Sequence, residues 1–290
     1  MNFGSVLTAM VTPFDRKGNI DLETTTRLVN HLIENGTEGI VVCGTTGESP
    51  TLTSEEKLAM FSHVVEVANK RVPIIAGTGT NNTKASIEMT EKAETLGVDG
   101  IMAVAPYYNK PNQEGLYEHY KAIANSTSLP VMIYNIPGRS SVNIEPQTII
   151  RLAEIENITS VKEASGNLDA FTEIIANTPD DFVLYSGDDG LTLPALSVGA
   201  IGVISVASHV IGNEMSEMVQ LFKNGQFERA AKLHQQLLPV MRTLFVAPSP
   251  APVKAALQMK GLDVGGVRLP IVPLSEKERK LVQDVLTPYL

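Results

Sequence analysis

Val6-Leu-Thr-Ala-Met-Val-Thr-Pro-Phe-Asp-Arg-Lys-Gly18 runs from a short apolar, β-branched segment into a turn without closely spaced glycines. A doubly wound open sheet usually places a glycine-rich turn after its first strand, where the backbone must approach a bound pyrophosphate. The absence of that turn favours a closed barrel. Similar short runs recur at residues 39–44, 73–77, 100–105, 130–135, 158–163, 182–186 and 202–206, making eight in all. Longer segments between them carry apolar residues at helical spacing, such as Leu22, Leu28, Val29, Leu32 and Ile33, then Leu58, Phe61, Val64, Val65 and Ala68. Near-continuous apolar strands alternating with helices suit a parallel sheet covered by right-handed crossovers. The predicted fold is an α/β, (β/α)8 TIM barrel over residues 1–224, followed by an all-helical extension over residues 225–290.

Helix starts are marked by Asp21, by Thr53 or Ser54 before Glu55-Glu56, and by Asn81 or Asn82. Past residue 206 two helices are expected over 212–244, broken at Asn224-Gly225, with others over 252–260 and 275–285. The connections 247–252 and 261–273 read as turns within this tail rather than as a linker.

The 290 residues, 43% of them apolar, can bury a sizeable core. With 32 acidic and 23 basic residues the net charge is -9, and no basic run suits a nucleic-acid backbone. The amino terminus lacks a basic, signal-like segment, and no apolar stretch approaches the roughly 18 residues of a membrane span, so a cytoplasmic location is expected. Cys43 stands alone in an apolar run and reads as a small buried hydrophobe. His31, His63, His119, His209 and His234 show no metal-ligand spacing and read as surface or packing residues, so no metal is expected. Gly77-Thr-Gly79 completes neither a dinucleotide fingerprint nor a P-loop.

In a barrel of this type the loops after the strands build the active site at one mouth. Those ends hold Gly44-Thr-Thr-Gly-Glu48, Pro106-Tyr-Tyr108, Tyr134-Asn-Ile-Pro-Gly-Arg139, Lys162, Gly187-Asp-Asp189 and Ser205. Lys162 interrupts an otherwise apolar strand. A buried, unpaired amine is a candidate Schiff-base nucleophile, whereas a snorkelling side chain or a pairing with Glu163 would make it structural. Thr45 and Thr46 either turn the chain or offer donors to a carboxylate. Tyr107, Tyr108 and Tyr134 are core aromatics or site phenols, and Arg139 is a surface cation or a bidentate carboxylate ligand. Asp188 and Asp189 read as caps of the following helix.

Gly44-Thr-Thr-Gly-Glu-Ser49, Tyr134-Asn-Ile-Pro-Gly-Arg139, Val161-Lys-Glu-Ala-Ser-Gly166 and Ser186-Gly-Asp-Asp189, in this order, resemble the pyruvate-dependent class I aldolase (N-acetylneuraminate lyase) superfamily and, within it, the dihydrodipicolinate synthase family. The resemblance covers essentially the whole chain, including Pro252-Val-Lys254. It implies that Lys162 forms an imine with pyruvate, whose electron-withdrawing iminium acidifies the adjacent methyl group and gives an enamine nucleophile. Pyruvate is then a covalently bound substrate and no cofactor is expected. The implied acceptor is aspartate semialdehyde, and the implied product is 4-hydroxy-tetrahydrodipicolinate, the first committed intermediate toward diaminopimelate and lysine.

Tyr134 matches the family's proton-shuttling phenol, with Thr45 and Tyr108 completing a relay. Thr45 and Thr46 match the groups that hold the pyruvate carboxylate, Arg139 matches the determinant for the semialdehyde carboxylate, and Gly187 and Ile204 join the substrate-binding set. N-acetylneuraminate lyases usually lack an arginine at the position of Arg139. A sugar-acid aldolase of the same superfamily and a noncatalytic small-acid sensor are the alternatives. The family also implies a homotetramer, a dimer of dimers in which Tyr108 reaches a neighbour's site. Lysine-inhibited members use histidines and a glutamate where this chain has Ser54, Lys57 and Ala85, although Ser49, Asn81 and Tyr107 are retained. An added cation and a lost carboxylate imply insensitivity to lysine. Ser249 stands where relatives often have asparagine, and nothing follows from it.

Overall fold

In the computed structural model, which describes residues 3–290, each of the eight runs contains a strand. Among the described residues these are β1 (Val6–Ala9), β2 (Gly39–Val42), β3 (Ile74–Gly77), β4 (Gly100–Val104), β5 (Val131–Asn135), β6 (Ile158–Glu163), β7 (Val183–Ser186) and β8 (Gly202–Ser205). They pair in parallel in chain order, and β8 closes on β1. The fold is a TIM barrel. Its helices are α1 (Leu22–Glu34), α2 (Ser54–Ala68), α3 (Thr83–Glu94), α4 (Gln113–Ala124), α5 (Pro137–Ser140), α6 (Pro146–Ala153), α7 (Leu168–Asn177), α8 (Thr192–Ser197) and α9 (Ser208–Lys223). The tail adds α10 (Phe227–Thr243), α11 (Ala251–Met259) and α12 (Glu276–Leu286).

Successive side chains of a strand face opposite ways, which divides the core into two layers. Leu7, Val41, Ile75, Met102, Met132 and Ile204 fill the barrel. Their neighbours Val6, Ile40, Ile74, Ile101, Ile133 and Val203 pack outward against the helices.

Local chemistry sets the helix starts. Asp21 accepts from the Thr24 N–H, Thr53 and Glu56 form a capping box, and Asn82 accepts from the Ala85 N–H. Helix α9 has a short first turn from Ser208 that ends in a kink at Ile211, with φ −131°, and the main helix follows from residue 212 as expected. At this kink Gly212 lies against the end of α1, where an added Cβ would fall 2.1 Å from the Asn35 carbonyl oxygen. Asn224 ends α9, and Gly225 takes φ +74°, so the expected break is present.

The buried imidazole of His209 ties the segment after β1 to the start of α9. Its Nε2 accepts from the Val11 N–H at 3.1 Å, and its Nδ1 lies 2.8 Å from the Val206 carbonyl oxygen, to which it donates. This arrangement needs the neutral ring, and burial pushes its pKa down to about 4. The folded chain therefore binds fewer protons than the unfolded chain between about 4 and the ordinary histidine value near 6.5. Stability should be fully present above that window and fall with acidification through it, at up to about 1.4 kcal/mol per pH unit from one group. Urea titrations from pH 7 to pH 4 should show a shallower acid limb for His209→Gln, and an unchanged slope would contradict this role.

Candidate active site

Lys162 sits on β6 directly between Tyr134 of β5 and Tyr185 of β7 in the parallel register. Tyr134 and Tyr185 belong to the barrel interior, so Lys162 shares the inward face. The lysine is 5% exposed, and its Nζ stands 4.3 Å from the centroid of the Tyr134 ring. Glu163 necessarily turns outward. Its Oε2 accepts from Asn135 Nδ2 at 2.9 Å, and its Oε1 accepts from the Ser165 N–H at 2.7 Å. Burial raises the Glu163 pKa while these donors oppose the rise. The pairing of Lys162 with Glu163 is therefore absent, and among the described residues Lys162 forms no ion pair. Gly187 closes over the lysine stem, where an added Cβ would lie 3.2 Å from Lys162 Cε and 2.6 Å from Ala164 Cβ. A bare backbone is required there.

Two cavities share a wall near this site. One, of about 290 Å³, is lined by Cys43, Gly44, Thr45, Lys57, Tyr107, Tyr134 and Arg139, among others. The other, of about 670 Å³, runs past Gly187 and Asp188 to Leu238, Met241 and Arg242 on α10. Ile136 and Arg139 line both. Lys162 itself lines neither cavity, but it packs on Tyr134, which lines the first, and beside Gly187, which lines the second. Ile204 is buried in the apolar filling of the barrel.

The segment after β2 is a tight, strained turn. Gly47 N–H donates to the Gly44 carbonyl at 3.1 Å, Glu48 N–H donates to the Thr45 carbonyl at 3.1 Å, and Thr12 Oγ1 donates to the Gly47 carbonyl at 2.7 Å. Cys43 and Glu48, at its two ends, have φ +56° and +55°, in the left-handed region that non-glycine residues seldom occupy. Thr45 faces the smaller cavity, while Thr46 is buried. Burial pushes the Cys43 thiol up to about 12, which leaves it protonated and unreactive, in line with a small buried hydrophobe.

Other predicted residues are placed differently from one another. Arg139 stands on the single turn of α5 at the wall common to both cavities, whereas Tyr108, with φ +72°, is 87% exposed and is not brought to Lys162 by its own chain. Asp188 caps its own following turn through the Gly190 N–H at 2.8 Å. Asp189 does not cap that turn. It is buried and its Oδ2 instead accepts from the N–H groups of Val206 and Ala207, at 3.1 and 2.9 Å, fixing the loop after β8. Burial raises its pKa against these bonds.

One feature had no local signal. Glu48 Oε1 pairs with Lys254 Nζ of α11 at 2.7 Å, with side chains 1% and 3% exposed. Burial pulls the Lys254 ammonium down to about 8, against the raising effect of Glu48. Both residues lie in quoted motifs, but only the tertiary fold joins them. Among the described residues no group of three or more His, Cys, Asp or Glu is arranged to hold a metal ion, and no helix is long and apolar enough to cross a membrane.

Residues 2–288 match the dihydrodipicolinate synthetase family. The 4-hydroxy-tetrahydrodipicolinate synthase 1 of Halalkalibacterium halodurans is 63% identical over 288 residues, covering 99% of this chain and 98% of that protein. The 4-hydroxy-tetrahydrodipicolinate synthase of Bacillus subtilis is 61% identical over 288 residues, covering 99% of each. Among solved structures, a dihydrodipicolinate synthase from Bacillus anthracis superposes with a TM-score of 0.98 at 64% identity, covering 99% of this chain and 98% of that one. A dihydrodipicolinate synthase from Cyanidioschyzon merolae with lysine bound gives 0.97 at 46% identity, covering 98% and 97%. Because these matches span the barrel, its mouth and the helical tail alike, the chain belongs to the dihydrodipicolinate synthetase family.

Proposed function

We propose that the chain condenses pyruvate with aspartate semialdehyde through an imine on Lys162, giving 4-hydroxy-tetrahydrodipicolinate on the route to diaminopimelate and lysine, in the cytoplasm. The observation that carries this is an inward lysine without a carboxylate partner, packed on the ring of a tyrosine that lines the smaller cavity. The free amine attacks the pyruvate carbonyl, water leaves, and the resulting iminium withdraws electrons from the methyl group. Loss of a methyl proton gives an enamine, which attacks the aldehyde carbon while the aldehyde oxygen takes up a proton. The amino group of the acceptor then attacks the regenerated iminium carbon, closing the ring and expelling the Lys162 amine. The Tyr134 hydroxyl moves protons at the reacting carbon, with Thr45 beside it on the cavity wall. Thr45 and Thr46 hold the pyruvate carboxylate. Arg139, reachable from both cavities, receives the carboxylate of the acceptor. Gly187 leaves room over the lysine stem, and Ile204 floors the site. No cofactor is needed, because the iminium itself is the electron sink.

Borohydride reduction in the presence of pyruvate, followed by peptide mass analysis, should place one pyruvyl group on Lys162. An adduct on another residue, or none, would sink the proposal.

Tyr108 is exposed on a left-handed backbone, as a residue offered to a second copy would be. We infer a dimer of dimers in which this phenol completes the relay of the neighbouring site. Mixing Tyr108→Phe with Lys162→Ala subunits should then restore part of the activity in hybrids, since one site regains both groups. Mixtures as inactive as their parents would count against the exchange.

Lys57 lines the smaller cavity together with Ser49 and Tyr107, and Ala85 offers no carboxylate. An ammonium already in the wall disfavours a second cation there. Free lysine is therefore expected to leave the rate unchanged in steady-state assays, and clear inhibition at low-millimolar lysine would contradict that expectation.

A further inference from the structure

The strained turn that carries Thr45 and Thr46 is gripped from outside by the carboxyl-terminal part of the chain. Glu48 closes the turn, and each oxygen of its buried carboxylate faces the tail: Oε1 the Lys254 ammonium at 2.7 Å, and Oε2 the Arg268 main-chain N–H at 2.8 Å. Lys254 also donates to the Gly266 carbonyl at 2.6 Å. The Arg268 guanidinium donates to the Gly18 and Thr51 carbonyls and to both oxygens of Glu56. Phe14 completes the assembly, with Lys254 Nζ and Arg268 Cζ 4.2 and 4.3 Å from its ring centroid. Residues from the β1 loop, the β2 turn, α2, α11 and the segment before α12 thus meet around one carboxylate.

A buried ion pair adds little net stability compared with a well-packed apolar pair, because both charges must be desolvated. Left-handed non-glycine residues persist only where their surroundings determine them, and they gather at functional sites. Here the two observations fall on the same residue. Glu48 has φ +55°, and its N–H donates to the carbonyl of Thr45, so the residue held by the tail is hydrogen-bonded to the residue on the cavity wall.

We propose that Glu48, Lys254 and Arg268 form a clasp of positioning residues that holds the 43–48 turn in the conformation presenting Thr45 and Thr46 to the substrate carboxylate. This rests on the pyruvate site proposed above. The clasp touches no reacting atom. Its effect should therefore fall on capture of the keto acid rather than on the chemistry that follows.

The test compares the full-length enzyme with Glu48→Gln, Lys254→Met and the double variant near neutral pH. Each is measured for thermal midpoint, for KM and kcat with pyruvate varied, and for borohydride trapping at Lys162. Lys254→Met leaves a buried carboxylate without its cation and should lose stability, to the point of misfolding. The double variant removes both charges and should recover the midpoint. If the clasp positions the turn, Glu48→Gln and the double variant lower kcat/KM for pyruvate by about ten- to a hundredfold, through KM with kcat nearly kept. A double variant whose pyruvate KM returns to the wild-type value along with its midpoint would overturn the clasp, as would a Glu48→Gln enzyme that loses midpoint but not KM. Failure of the wild-type enzyme to trap pyruvate on Lys162 would overturn both the clasp and the site beneath it, whereas trapping with KM-silent variants overturns the clasp alone.

Discussion

Along β6, the pleat sends Lys162 into the barrel and Glu163 out toward the helices, and the chemistry of the site depends on this alternation. Closure of the sheet fixes the register on both sides, with Tyr134 and Tyr185 flanking the lysine. A slip of one residue would exchange the two faces. It would aim the carboxylate of Glu163 at the barrel interior and bury the ammonium among outward apolar residues of the neighbouring strands such as Ile133 and Leu184. Asn135 and Ser165 satisfy Glu163 on the outer side, so the adjacent acid is occupied and does not compete for the lysine.

The second constraint is distance along the chain. In the proposed reaction, a lysine on β6 becomes selective only if the turn after β2, which carries Thr45 on the wall of the smaller cavity, receives the carboxylate of the same substrate. That turn is held in an unfavourable backbone conformation at Cys43 and Glu48, and its outer end is anchored by the helical tail. The tail is thus integral to the mouth of the barrel. It also supplies α10, whose Leu238, Met241 and Arg242 wall the larger cavity.

Short-range patterns carried much of this. Eight apolar runs with helical segments between them, and the missing glycine turn after β1, were enough for the barrel, and Asp21 and Thr53 marked helix starts through local hydrogen bonds. Lys162 was visible as a charge in an apolar run. What stayed hidden was set by contacts far apart in the chain. The Glu48–Lys254 pair, the reach of Asp189 to the loop after β8, and the extra turn that precedes the kink in α9 each require two elements to be docked before they have meaning. The outward position of Tyr108 was likewise invisible in local spacing, because it depends on a left-handed residue in the loop after β4.

On the proposed mechanism, Lys162 and the Thr45–Thr46 turn act on one molecule of pyruvate. A crystal structure of the borohydride-reduced pyruvate adduct tests it most directly. The expected density is continuous from Lys162 Nζ, with the adduct carboxylate within hydrogen-bonding distance of the Thr45 or Thr46 hydroxyl. Density placing that carboxylate on Arg139 and away from the turn, or leaving Lys162 unmodified, would rule out this mechanism.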